Sequence, residues 1–78
     1  MPPTCTLGEL RRGHFAAVTA LNTQGPMRRR LMDIGISPGV RICALFKSCS
    51  GDPTAYLVHD TVIALRRDDA DTVIVREE

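Results

Sequence analysis

The pattern of apolar and polar residues along the chain predicts a mainly β protein. Five short segments rich in apolar and β-branched residues are separated by turn-forming residues, which is typical of the strands of a small barrel. The predicted strands cover residues 14–21, 40–46, 54–58, 62–66 and 72–76. No crossover helix is long enough for a parallel βαβ unit. We therefore expect a small curled five-stranded barrel with one short helix after the first strand.

The helix has clear start and stop signals. Pro26 suits the first helical position, where a missing N–H does no harm. Met27, Leu31 and Ile34 follow at i, i+4 and i+7 and form one apolar stripe that is expected to face the core. Gly35 is expected to end the helix in a left-handed conformation.

Three consecutive arginines and a methionine lie mostly off this stripe. Residues on a helix are about 100° apart, so Arg28, Arg29 and Arg30 cannot all face one way. They form either an ordinary solvated face or a docking patch, since arginine is enriched at protein interfaces. Met32 also falls off the stripe, and methionine is common at adaptable binding surfaces. Arg29 and Asp33 are spaced for an i,i+4 ion pair.

Two local motifs predict tight turns. Thr6 to Glu9 fits a capping box, in which hydroxyl and carboxylate satisfy backbone donors at the start of one helical turn. Pro38-Gly39 is a type II turn signal. The charged segment 67–71 is expected to form one further helical turn.

Composition and charge narrow the class of protein. The 78 residues are 44% apolar and 24% charged, which predicts a single globular domain over residues 1–78. The chain has no signal-peptide pattern and no apolar run of membrane-spanning length, so we expect a cytoplasmic protein. The net charge of +1 argues against a nucleic-acid partner. Residues 1–50 carry seven basic and two acidic side chains, so a local basic face remains open.

Catalysis and metal binding have little support in the sequence. No nucleophile or phosphate-binding motif occurs, so no enzyme activity and no cofactor are predicted. Structural zinc sites use closely paired ligands. No two cysteines have the close spacing of such a ligand pair, so the cysteines are predicted to be reduced thiols without a metal. The possible donors are Cys5, Cys43, Cys49, His14 and His59.

Several motifs, taken in order, resemble the FeoA family of small bacterial proteins linked to ferrous iron uptake. They are LGEL at residues 7–10, RRLMDIGISPG at 29–39, GDP at 51–53, IALRR at 63–67 and VIV at 73–75. The resemblance covers nearly the whole chain. It implies an SH3-like barrel with an inserted helix. It also implies a cytosolic accessory to FeoB, the membrane iron transporter with a cytoplasmic GTP-binding domain.

Most residues of these motifs are expected to have scaffold roles. The structural motif residues are Leu31, Gly35, Pro38, Gly39, Gly51, Asp52, Pro53 and Leu65. For the docking surface we predict Arg28, Arg29 and Met32, because they combine an off-stripe position with interface chemistry. The chain would then reach the membrane only through its transporter partner.

Two alternatives remain open at the level of sequence. A similar pattern occurs in the C-terminal domain of iron-dependent repressors, so a divalent-metal-responsive module using His14, His59 or cysteine thiols is the second interpretation. This chain starts with Met and has no room for a winged-helix domain, which places that interpretation second. A homo-oligomer is also conceivable, because a barrel edge such as the final strand could pair between copies.

Overall fold

Residues 4–78 fold as one sheet of six strands with two short helices. A computed structural model describes residues 4–78. The strands are β1 (Thr4–Thr6), β2 (Phe15–Leu21), β3 (Arg41–Lys47), β4 (Thr54–Val58), β5 (Thr61–Leu65) and β6 (Val73–Glu77). Helix α1 spans Gly25–Asp33, helix α2 spans Arg67–Ala70, and one turn of 3₁₀ helix covers Leu7–Glu9. The prediction of a mainly β fold with a short helix after the first long strand is confirmed.

The predicted count of five strands is wrong, and the sheet is open. Its strands are hydrogen-bonded in the order β1-β6-β2-β3-β4-β5, and each neighbouring pair is antiparallel. The strand missed from the sequence is β1, which has only three residues and pairs with the far end of the chain, Cys5 opposite Val75. Within residues 4–78, β1 and β5 are the two edges and do not pair with each other. The final strand β6 is interior, so the expectation that it forms an edge is also wrong.

The core lies on one face of this sheet and is closed by α1 and the 3₁₀ turn. Alternate residues of the strands point into it, as the period of two requires. The largest fully buried side chains are Tyr56, Leu7, Leu31, Ile36, Ile42, Val18, Val58, Val73 and Val75. The Tyr56 hydroxyl donates a hydrogen bond of 3.3 Å to the carbonyl of Leu7, which ties the 3₁₀ turn to β4.

Helix α1 ends in a Schellman motif that fixes its position against the core. The N–H of Gly35 donates to the carbonyl of Met32 at 3.0 Å, and the N–H of Ile36 donates to that of Leu31 at 2.9 Å. Gly35 has a φ of +103°, where a side chain is unfavourable. Ile36 is fully buried and anchors the end of the helix.

Helix α2 is held by residues distant in sequence. The Asp52 carboxylate accepts a hydrogen bond of 2.9 Å from the N–H of Arg67, which satisfies a backbone donor at the start of α2. Arg67 in turn pairs with Asp71 at 2.9 Å. The predicted capping box is formed, since the N–H of Thr6 donates to Glu9 Oε1 at 2.9 Å.

Candidate partner-binding surface

The outer side of α1 exposes arginine and methionine side chains together. Arg28, Arg29 and Met32 are all exposed, whereas Leu31 faces the core. Arg28 Nη1 lies 3.5 Å from Met32 Sδ, so a guanidinium and a thioether form one continuous patch. The exposed fraction of Met32 is 46%. We call Arg28, Arg29 and Met32 the α1 surface.

The arginines of this surface have no carboxylate partner in the part of the chain that the structure describes. The predicted Arg29–Asp33 ion pair is therefore wrong. In a helix, an i,i+4 ion pair is weaker when the acid follows the base than when it precedes it. An exposed ion pair also stabilises the fold little, because both charges are already hydrated. Apart from the contact of Arg28 Nη1 with Met32 Sδ, the guanidinium donors of Arg28 and Arg29 can therefore bind a carboxylate or phosphate on another molecule.

Ile34 is more exposed than its place on the predicted apolar stripe would require. Helix α1 stops at Asp33, and Ile34 is the C-cap residue with φ −86° and ψ 1°, outside helical geometry. Its side chain is 38% exposed. It lies on the side of α1 that carries Met27 and Leu31, and not on the α1 surface.

An open groove of about 540 Å³ separates α1 from β5. Both elements contribute apolar side chains to its lining, and the charged side chains in the lining are Arg30, Arg66 and Asp69. The residues are Met27, Arg30, Leu31 and Ile34 on the helix side, and Ile63, Ala64, Leu65, Arg66 and Asp69 on the other. This groove could not be predicted from the sequence, because its width depends on the distance between α1 and the edge of the sheet. The only sequence feature that indicates an apolar wall here is the absence of charged residues in β5.

The potential metal donors do not converge. No three His, Cys, Asp or Glu side chains among residues 4–78 are grouped to hold a metal ion. His14 Nδ1 lies 2.6 Å from Glu77 Oε1, while Cys43 is buried and Cys49 is exposed in a loop. Burial, with the nearby charges of Glu9 and Glu77, raises the pKa of the Cys5 thiol. A raised pKa disfavours the thiolate form that binds metals.

Comparison with known proteins identifies the family. The model of the FeoA domain matches residues 5–77. The chain belongs to the FeoA family. No match was found among curated protein sequences. None of the helices within residues 4–78 is long and apolar enough to cross a membrane.

Solved structures share this fold over most of the chain. The solution structure of FeoA from Chlorobium tepidum is 32% identical with a TM-score of 0.87, covering 92% of this chain and 69% of that one. Zinc-complexed FeoA from Stenotrophomonas maltophilia, described as a prokaryotic SH3 domain protein, is 30% identical with a TM-score of 0.78 and 94% coverage of both chains. The fold is therefore SH3-like, and the family is associated with ferrous iron transport.

The same fold also occurs in a larger regulator. A manganese-dependent transcriptional repressor has a TM-score of 0.86 and 23% identity, and the match covers all of this chain but 44% of the repressor. At that identity the likeness shows the fold alone.

Proposed function

We propose that this protein is a non-enzymatic cytoplasmic regulator of a FeoB-type ferrous iron transporter. Residues 1–78 would act as one domain that contacts the transporter's cytoplasmic domain and reaches the membrane only through it. Family membership supports the link to ferrous iron transport. The S. maltophilia relative has been described as possibly acting as a ferrous iron transport activating factor, which supports a regulatory role.

The observation that carries this proposal is the α1 surface. Two arginines without a carboxylate partner in the described structure stand beside an exposed methionine, on an element anchored by the buried Leu31. Arginine and large apolar side chains on a rigid element are typical of residues that dominate binding energy. The surface fits a partner that offers carboxylates around an apolar side chain.

The test is a titration of isotopically labelled protein with the isolated cytoplasmic domain of the transporter, with and without GTP. Backbone amide shifts should be perturbed mainly in residues 26–37. Arg29→Glu should weaken binding at least about tenfold, because it replaces an attraction by a repulsion. Arg11→Glu is the matched control, since it makes the same charge change in an exposed loop at the opposite end of β2.

Two results would contradict this assignment. Unchanged affinity in the Arg29→Glu variant would exclude the α1 surface while leaving the partner in place. Absence of any shift at saturating transporter domain would exclude direct contact with that domain. Met32→Ala separates the apolar contribution from the charge, because it removes the thioether and leaves both arginines.

A metal-responsive module is the alternative, motivated by the zinc complex of the S. maltophilia relative. A ligand that binds only the folded state raises the thermal midpoint by mass action. Heating the protein with excess Zn²⁺, Mn²⁺ or Fe²⁺ therefore distinguishes the two functions. A midpoint that rises with metal, and no longer rises when His14 is replaced by Ala, would favour the module.

A further inference from the structure

Strand β5 is an open edge without the usual protection. In the described part of the chain it pairs with β4 alone, in an unbroken five-residue register. Natural edge strands are commonly blunted by charged side chains, proline, bulges or short length. The segment Thr61–Leu65 contains no charge and no proline, and its Val62 side chain is 57% exposed. The other edge, β1, is only three residues long.

The register shows which backbone groups of β5 are free. Val58 and Thr61 face each other across the two-residue turn His59-Asp60, so they form the hydrogen-bonded pair that closes it. Hydrogen-bonded and non-hydrogen-bonded positions then alternate along an antiparallel ladder. It follows that Val62 and Ala64 direct their N–H and C=O groups away from β4, toward the open edge of the sheet.

We propose that β5 pairs with β5 of a second copy of this chain, antiparallel about a two-fold axis at Ile63. In that register Val62 of one copy lies opposite Ala64 of the other. Each such pair exchanges two backbone hydrogen bonds, and symmetry provides the pair twice. Ile63 faces its own equivalent at a non-hydrogen-bonded position.

The charges at the two ends of β5 favour a second copy over another partner. Asp60 precedes the strand and Arg66 follows it, each three residues from Ile63. The proposed register therefore places Asp60 of each copy opposite Arg66 of the other. Both side chains are exposed, and neither forms an ion pair within residues 4–78. Parallel pairing would lose this match, and a shift by one residue would place Val62 opposite a residue whose backbone groups are directed toward β4.

The pairing would also cover apolar surface at this edge. Ile63 is only partly buried in one copy, and it lines the groove between β5 and α1. Two five-residue strands bury much less than the area of a stable dimer, so the dimer should be weak and dependent on protein concentration.

Sedimentation equilibrium of the purified chain, without transporter or metal, tests the association. The average mass should rise from 8.6 kDa toward twice that value between micromolar and millimolar protein. An isotope-filtered NOE experiment on mixed labelled and unlabelled protein should show contact between the Ile63 Hα protons of the two copies. A monomer at all concentrations, or a dimer without this contact, would overturn the proposal.

Charge exchange tests the register. Asp60→Arg and Arg66→Asp should each weaken the dimer about tenfold, and the double variant should restore most of it. The two positions lie at opposite ends of β5, so restoration is expected only across the two-fold axis. Circular dichroism melts establish that each variant is folded. Failure of the double variant to recover, with both single variants weakened, would contradict the register.

A second pair of variants tests the edge itself. Val62→Lys brings two lysines diagonally together across the axis and should abolish the dimer, whereas Val62→Thr keeps a β-branched residue without charge and should retain it. Equal effects of lysine and threonine would contradict edge pairing. None of these measurements includes the transporter, so the result is independent of the proposed function.

Discussion

Gly35 and Gly39 provide a matched test of how the end of α1 is built. Both have left-handed backbones, with φ of +103° and +93°. They differ in surroundings. A Cβ on Gly35 would lie 3.0 Å from His59 Cδ2, whereas nothing lies within 4 Å of a Cβ on Gly39. Substitution by Ala at Gly39 therefore measures the backbone cost alone, and substitution at Gly35 measures the same cost plus a steric contact.

The magnitudes follow from these two contributions. Placing a non-glycine residue in the left-handed region costs about 1–2 kcal/mol. Displacing the exposed His59 ring should add about 1 kcal/mol, in the range of other overpacked contacts. We expect Gly39→Ala to lower the free energy of unfolding by about 1–2 kcal/mol and Gly35→Ala by about 2–3 kcal/mol. For a domain of this size the larger loss lowers the melting temperature by about 8–24 °C.

Urea denaturation followed by circular dichroism measures both values. Replacing His59 by Gly in the Gly35→Ala background should bring its cost down to that of Gly39→Ala, because the contact is removed and the backbone cost remains. His59 itself has a φ of +55°, so glycine is compatible with that position. Equal costs at the two glycines, or an unchanged Gly35→Ala cost without the imidazole, would refute the role of His59.

Two further predictions concern the contacts that hold the 3₁₀ turn. Gly8→Ala would place a methyl group on the Asp71 carboxylate and 2.8 Å from Arg67 Nε, so it should cost about 1 kcal/mol. Most of that cost should disappear when Asp71 and Arg67 are both replaced by Ala, and additive effects in urea denaturation would argue against these contacts. Burial raises the pKa of the Tyr56 hydroxyl above the value of about 10 that it has in the unfolded chain. The neutral hydroxyl therefore contributes its full stabilisation of the fold below pH values of about 10, and this contribution is lost as the pH rises through the folded-state pKa. Tyr56→Phe should remove that alkaline loss and cost about 1 kcal/mol at neutral pH, and a pH series of thermal melts showing the same loss in both proteins would exclude Tyr56.

The parts of this fold that could be predicted from sequence are those fixed by neighbours in the chain. Pro26 and Gly35 mark the ends of α1 to within one or two residues, because both act through local backbone conformation. The capping box from Thr6 to Glu9 is local in the same way.

The remaining features depend on distances across the fold. β1 forms because Thr4–Thr6 meets the final strand, and a three-residue segment has no pattern long enough to reveal this. Ile34 is exposed because the side of α1 that carries Met27, Leu31 and Ile34 borders an open groove at its position. The groove beside β5 exists because α1 stands away from the sheet edge, and no periodicity reports that gap.

The two proposed surfaces belong to different elements, α1 and β5. Arg30 and Ile34 of α1 line the groove that faces β5, whereas Arg28 and Arg29 do not. Because α1 is anchored by Leu31, neither surface needs the helix to move in order to bind. If both proposals hold, we expect the transporter and a second copy to bind together. Val62→Lys should then leave the transporter titration unchanged, and Arg29→Glu should leave the sedimentation mass unchanged. If either variant alters both measurements, the two surfaces overlap, and dimer formation would compete with binding of the transporter.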